Sequence, residues 1–395
     1  MVKAHTTRQG PTGSPAQRLD VDALIDDPAT GIIVCCGSGG VGKTTSAAAI
    51  ALRAAERGRK VVVLTIDPAR RLAQSMGIEQ LDNTPRPVSP VDTSGGGRLD
   101  AMMLDMKRTF DEVVESQASP EKARQILENP FYVALSSSFA GTQEYMAMEK
   151  LGQLRAEADR DGTWDLVVVD TPPSRSALDF LDAPQRLGSF LDGRFIRLLT
   201  APAKAGSRAY LKVFAAGVNV VTHTMTKVLG AQFLRDVQTF VAALDTMFGG
   251  FRERADETYR LLQAPGTAFV VVAAPERDAL REASYFVERL AADRMPLAGL
   301  VLNRVHLAGA SGLSAERALA AAEALADQRG HALTEQLLRL HADRVRVTLR
   351  ESSLAERFTA AHPSVPVGRV AARAEDVHDL EGLRAVGADL AGTAA

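Results

Sequence analysis

The chain has 395 residues, with 46 Lys+Arg against 48 Asp+Glu, a formal charge of −2 and 46% hydrophobic residues. This near-neutral balance fits a soluble globular protein with ample core and excludes a dedicated nucleic-acid binder, which carries a basic excess or stripe. The cysteines are the adjacent pair Cys35-Cys36, too few for a disulfide framework or a CxxC metal clamp, and no run reaches the ~18–20 apolar residues of a transmembrane segment.

Residues 1–28 begin Pro/Gly/Thr/Gln-rich and lack the apolar stretch of a signal peptide, so a disordered lead-in and a cytoplasmic location are expected. From there to about residue 385 a single domain is expected, followed by a flexible tail over 386–395. Apolar, β-branched runs recur at Gly31–Cys36, Lys60–Ile66, Leu99–Asp105, Asp165–Asp170, Thr267–Ala274, Ala298–Asn303 and Ser364–Val370. They are apolar throughout rather than alternating, as strands buried on both faces of a mainly parallel sheet are. Helical stretches between them supply the crossovers, so the class is α/β, doubly wound. The strand order does not follow from these runs. Thr84–Gly97, rich in Pro, Ser and Gly, reads as a loop. Two stretches, about Met106–Asp161 and Leu181–Gln263, exceed a simple crossover and read as helical insertions, the second a subdomain at about 181–263. Within it Phe233, Val237, Phe240, Leu244, Met247 and Phe251 form one apolar stripe. Packing against neighbouring helices or a dimer partner is the expected use of that stripe; a groove for an apolar cargo is the alternative.

The run Gly31–Cys36 leads into Gly37-Ser38-Gly39-Gly40-Val41-Gly42-Lys43-Thr44-Thr45 and then an Ala-rich helix. This is G-x-x-x-x-G-K-[ST] in its strand–loop–helix setting, the phosphate loop of P-loop NTPases. Glycines allow successive backbone N–H groups to close on a phosphate, and the helix adds its positive N-terminal end. Lys43 is expected on the β- and γ-phosphates of a nucleotide and the Thr44 hydroxyl on Mg²⁺. Two aspartates extend the site. Asp170 ends the apolar run Trp164–Asp170, the Walker B pattern, and is expected in the Mg²⁺ shell. Asp67 ends Lys60–Ile66 and opens Asp67-Pro68-Ala69-Arg70-Arg71, where a carboxylate can reach the γ-phosphate side and orient or activate water.

These residues carry a resemblance. Gly39-Gly40-Val41-Gly42-Lys43-Thr44-Thr45, Asp67-Pro68-Ala69 and Asp170-Thr171-Pro172-Pro173-Ser174-Arg175 resemble the ArsA-type ATPases, among which are the arsenite-pump ATPase and the ATPase that targets tail-anchored membrane proteins. The likeness runs from about Gly31 to Leu383 and is nearest to the actinobacterial ArsA-like ATPases, some of which occur as dissimilar pairs. It implies a switch I role with a part in the metal site for Asp67, a switch II role for Asp170–Arg175, and a relay role for Gly141-Thr142-Gln143-Glu144, where Ala140 replaces the usual proline. It also implies an adenine contact for Asn303, a place beside it for Pro275-Glu276, and an adenine-lining loop at Glu375-Asp376-Val377. A dimer that closes on Mg·ATP and handles an anion, a membrane protein or a hydrophobic cargo is the implied activity.

The departures matter as much. Where the family usually has a lysine that crosses the dimer interface, this chain has Ser38, which carries no cation. Either turnover is slow or a lysine-bearing paralogue completes the site, which leaves a nucleotide-gated adaptor in a heterodimer as the alternative to a self-sufficient homodimeric ATPase. Cys35 and Cys36 alternate faces of a strand and read as core, so neither an arsenite site nor a structural metal is expected. A MinD/ParA-like positioning ATPase ranks last, because the C-terminus has no basic amphipathic helix.

Overall fold

The structure is a computed structural model, and it describes residues 17–67, 71–129, 132–133, 142–172, 253–310, 312–326, 328 and 330–393. The Phe233–Phe251 stripe and most of the 181–263 subdomain lie outside the described residues, as do Pro68–Arg70, Gly141 and Pro173–Arg175.

The strands are β1 Ile32–Gly37, β2 Lys60–Thr65, β3 Arg86–Pro87, β4 Arg98–Met103, β5 Leu166–Asp170, β6 Thr267–Ala273, β7 Leu297–Val305 and β8 Val367–Ala371. They form one 8-stranded sheet in the order β3-β4-β2-β5-β1-β6-β7-β8. Every pairing is parallel except β3 with β4. The apolar runs are therefore strands covered on both faces; β1, β5 and β6 are buried along their whole length. The short β3 lies in the stretch expected to be a loop. Two residues ending in Pro87 suit an antiparallel edge, where proline's missing donor is tolerated.

From β5 the chain crosses β1 to reach β6, so strands formed later extend the other half of the sheet. This reversal places the C-terminal end of β1 at the point where such sheets bind ligands. Helix α2, Lys43–Glu56, follows β1 and is Ala-rich, which favours helix and lets it lie close to the sheet. The stretch 106–161 is helical where described, as Met106–Gln117, Pro120–Leu127 and Thr142–Asp161.

The described parts of the expected lead-in and tail form helices. In the lead-in, helix α1, Val21–Asp26, is capped by the Asp20 side chain accepting from the Ala23 N–H at 2.9 Å. Its Val21 and Ile25, four residues apart, share one buried face, while Asp22 and Asp26 pair with Arg53 of α2 and with Arg57, which follows it. In the tail, Leu380–Ala391 is a helix capped by Asp379 and ended by Gly392 in the left-handed conformation. Leu383, Val386 and Leu390 recur at helical spacing and are buried, and a Cβ on Gly387 would stand 3.5 Å from the Arg53 side chain. The expected flexible tail thus packs on α2.

Candidate active site

At the end of β1 the backbone turns through geometry that only glycine accommodates. Gly37 has φ +152°, and a Cβ there would stand 2.1 Å from the Val272 carbonyl oxygen. Gly42 caps α2 with φ +92° and offers no side-chain acceptor, so the first N–H groups of the helix stay available for an anion. Between them Ser38, Gly39, Gly40 and Val41 form the loop, with Gly39 and Gly40 exposed and Val41 buried. The Lys43 ammonium folds back and donates to the Ser38 carbonyl at 2.8 Å. Burial holds its pKa below the usual lysine value, against the opposing pull of Asp170, while Arg71 pushes it further down. The Ser38 hydroxyl is buried and lacks a hydrogen-bond partner among the described residues.

Sheet register assembles the rest. Asp170 pairs with Cys35 on one side and Thr65 on the other, so three strand ends meet. The carboxylate is fully buried; its Oδ2 accepts from Thr44 Oγ1 at 2.7 Å and from Thr65 Oγ1 at 2.9 Å, and Oδ1 has no partner among the described residues. Burial pushes the Asp170 pKa up to about 6, a rise that the two hydroxyl donors and Lys43 only partly offset. A buried carboxylate oxygen without a partner among the described residues, beside a threonine hydroxyl, suits a hard, oxygen-seeking divalent cation, so these residues fit Mg²⁺. Asp67 is half-buried two positions beyond β2, and its backbone carbonyl lies 3.5 Å from Thr65 Oγ1.

Beside the loop is a cavity of about 320 Å³, lined in part by Gly42, Thr45, Asn303, His306, Asp376 and Val377. Asn303 ends its strand run pointing into the loop: its Nδ2 donates to the Val41 carbonyl at 2.8 Å. Thus Asn303 and the Glu375–Val377 segment, about 70 residues apart in sequence, share one cavity. Pro275-Glu276 stands at the end of β6, beyond that cavity lining, where Glu276 precedes the helix Arg277–Ala292. Both cysteines are buried in β1, and burial raises the Cys36 thiol to about 12.

A family comparison decides the affiliation of this arrangement: the sequence profile of the anion-transporting ATPases, the ArsA ATPase family, matches residues 30–317. The chain belongs to this family of P-loop ATPases. It is 31% identical over 164 residues to ATPase GET3 of Candida glabrata, covering 40% of this chain and 46% of that protein. It is 27% identical over 270 residues to the ATPase ASNA1 homolog of Cryptosporidium parvum, covering 68% and 63%. To ATPase BagA of Mycobacterium tuberculosis it is 24% identical over 193 residues, covering 48% and 54%. The chain thus spans about half the length of the curated relatives it matches.

For this family member the structure brings Gly37–Thr45, Asp67, Asp170 and Asn303 to the C-terminal ends of the sheet's strands. Sequence reasoning missed Thr65. Its signal was available only as a hydroxyl two residues before Asp67, and it acquires meaning once β2 lies beside β5. His306 was also missed as a site residue; it lines the cavity and is held by Glu351. Among the described residues no helix is long and apolar enough to cross a membrane.

Proposed function

We propose that this chain binds Mg·ATP with the Gly37–Thr45 loop and hydrolyses its terminal phosphoanhydride bond. The carrying observation is the Asp170 carboxylate, buried against Thr44 and Thr65 with one oxygen unpartnered among the described residues, beside the Gly37–Thr45 loop. In this reading Lys43 neutralises the β- and γ-phosphate oxygens, and the loop N–H groups bind the rest of the triphosphate. Thr44 and Asp170, with Asp67 beside them, would hold Mg²⁺, and the ion would supply charge neutralisation on the phosphates. Asp67 orients the attacking water and accepts its proton. Asn303, Thr45 and the Glu375–Val377 segment receive the adenine.

The family supports the wider reading: a dimer closing over nucleotide, in the cytoplasm, with hydrolysis coupled to an anion, a membrane protein or a hydrophobic cargo. Calorimetry tests the core of it. Lys43→Ala should abolish Mg·ATP binding, and retained micromolar affinity would remove the loop assignment.

A second reading follows from Ser38. Its hydroxyl supplies no positive charge to a partner's phosphates, and cations delivered across an interface are worth ~10³–10⁵ in rate. The chain would then be a nucleotide-gated subunit, weakly active by itself, paired with a lysine-bearing paralogue of the actinobacterial ArsA-like kind. Ser38→Lys should raise turnover of the isolated protein under this reading. Unchanged turnover would return the self-sufficient ATPase to first place.

A further inference from the structure

We propose that Asn303 is a positioning residue of the phosphate loop, fixing its backbone before any nucleotide arrives. This rests on the reading of Gly37–Thr45 as that loop, and it adds a role to the adenine contact which the family resemblance implies.

Val41 lies between Gly40 and Gly42, whose φ values are +76° and +92°. The peptide unit that joins Val41 to Gly42 has glycine on one side, where φ is little restricted, so it can turn over at less cost than a unit between two residues with side chains. A turned peptide would present a carbonyl oxygen where a phosphate-binding loop must present N–H. The single side-chain bond that opposes this turn among the described residues comes from Asn303, whose Nδ2 donates to the Val41 carbonyl at 2.8 Å while only 8% of the residue is exposed. In a planar trans peptide C=O and N–H point in opposite directions. Holding the Val41 oxygen toward Asn303 therefore directs the Gly42 N–H away from it, free for an anion.

Two further features show that Asn303 is built into this place. A Cβ on Gly42 would lie 2.1 Å from Asn303 Nδ2, so the amide occupies the space that any other residue at 42 would need. Directly after Asn303, Arg304 adopts φ +61°, uncommon for a residue with a side chain. That turn is secured from beyond by His306: its N–H donates to Glu351 Oε2 at 2.8 Å, its ring meets Glu351 Oε1 at 2.6 Å, and its carbonyl accepts from Thr348 Oγ1 at 3.3 Å. Glu351 and Thr348 belong to the long helix Ala332–Ala361. The loop conformation is thereby tied, through four residues of chain, to a helix remote in sequence.

Hydrogen exchange on the nucleotide-free protein separates this role from base recognition. In Asn303→Ala and in the isosteric Asn303→Asp, a peptide covering 37–45 should exchange about 5-fold faster than in wild type, the factor for losing one hydrogen bond, with a peptide covering 60–66 unchanged. Calorimetry with inorganic tripolyphosphate, which has no base, should show a loss similar to that for Mg·ATP. Unchanged exchange in folded variants would overturn the proposal, and so would a loss confined to ATP. Global unfolding of both variants would assign Asn303 to stability instead and overturn the specific role. Wild type binding neither ATP nor tripolyphosphate would refute the phosphate-loop reading, a result distinguishable because the exchange measurement needs no nucleotide.

Discussion

At the proposed phosphate end of the cleft the polar groups stand at the ends of adjacent strands or the start of α2, whereas the proposed base end is walled by segments held through a few side-chain bonds. Thr44, Thr65 and Asp170 meet because β1, β5 and β2 run side by side in fixed register, with no separate clamp needed. The base-side cavity depends on Asn303 reaching Val41, Glu351 reaching His306, and Arg373 reaching Asp389 at 2.9 Å. Register is shared among many backbone bonds, so one side chain cannot undo it; a clamp can be removed by one substitution. Changes at the phosphate end should therefore alter chemistry while leaving shape intact. Changes at the base end should alter shape and affinity.

The largest effect is expected at Asp67. Asp67→Asn keeps size and hydrogen-bonding capacity but removes the proton acceptor, so kcat should fall ~10²–10⁴-fold with ATP affinity retained. Single-turnover kinetics check this. Equal losses in kcat and affinity would move Asp67 from chemistry to loop structure.

The next effect is a pH dependence with a definite sign. Asp170 is raised from an ordinary 3.8 to about 6 by burial, so between those values the native nucleotide-free protein holds a proton that the unfolded chain has released. The contribution of Asp170 to stability is therefore complete below pH 4 and lost as pH rises through 6, amounting to roughly 3 kcal/mol at most for two pKa units. Asp170→Asn should be more stable than wild type at pH 7, with the difference shrinking toward pH 4, by denaturant unfolding at both values. Parallel pH profiles would show that Asp170 is solvated rather than buried. Since Mg²⁺ needs the ionised carboxylate, Mg²⁺-dependent nucleotide affinity should also weaken below pH 6.

Thr65 offers a smaller and more local test of register. Its hydroxyl shares Asp170 Oδ2 with Thr44, so when Thr44 turns to a cation, Thr65 still fixes the carboxylate. Thr65→Val preserves shape and removes the donor; Mg²⁺ affinity in the presence of ATP should drop ~10–100-fold, typical for a group supporting a metal ligand. Thr65→Ser should restore most of it. A valine variant with wild-type Mg²⁺ affinity would leave Thr44 as the sufficient support.

The same contrast explains what the sequence disclosed. The loop, Asp67 and Asp170 could be read because each sits next to an apolar run that is legible as a strand buried on both faces. Thr65 could not, because its importance comes from lying beside β5, and strand order is absent from local pattern. His306 and Glu351 are separated by 45 residues, and neither carries a motif. The helices at 21–26 and 380–391 were not legible for a related reason: Val21/Ile25 and Leu383/Val386/Leu390 are short apolar periodicities at the edges of polar segments, and only the folded α2 and β8 give them something to cover.

The smallest predicted effect probes the base end through its most distant support. Glu351 is little exposed and takes both the backbone N–H and the ring nitrogen of His306, so Glu351→Ala leaves two groups of the cavity wall without their acceptor. Water can reach His306, whose side chain is 35% exposed, and will replace part of what is lost. The net cost should therefore be that of about one hydrogen bond, ~1 kcal/mol, read as a roughly fivefold weaker Kd for ATP. Turnover at saturating ATP should stay near wild type, since Asp170 and Thr65 are held by the sheet, with Asp67 just beyond β2, and not by the helix Ala332–Ala361. A fall in kcat with unchanged Kd would mean that this helix governs the phosphate end after all, and that the register of β1, β2 and β5 is not sufficient to hold the catalytic groups.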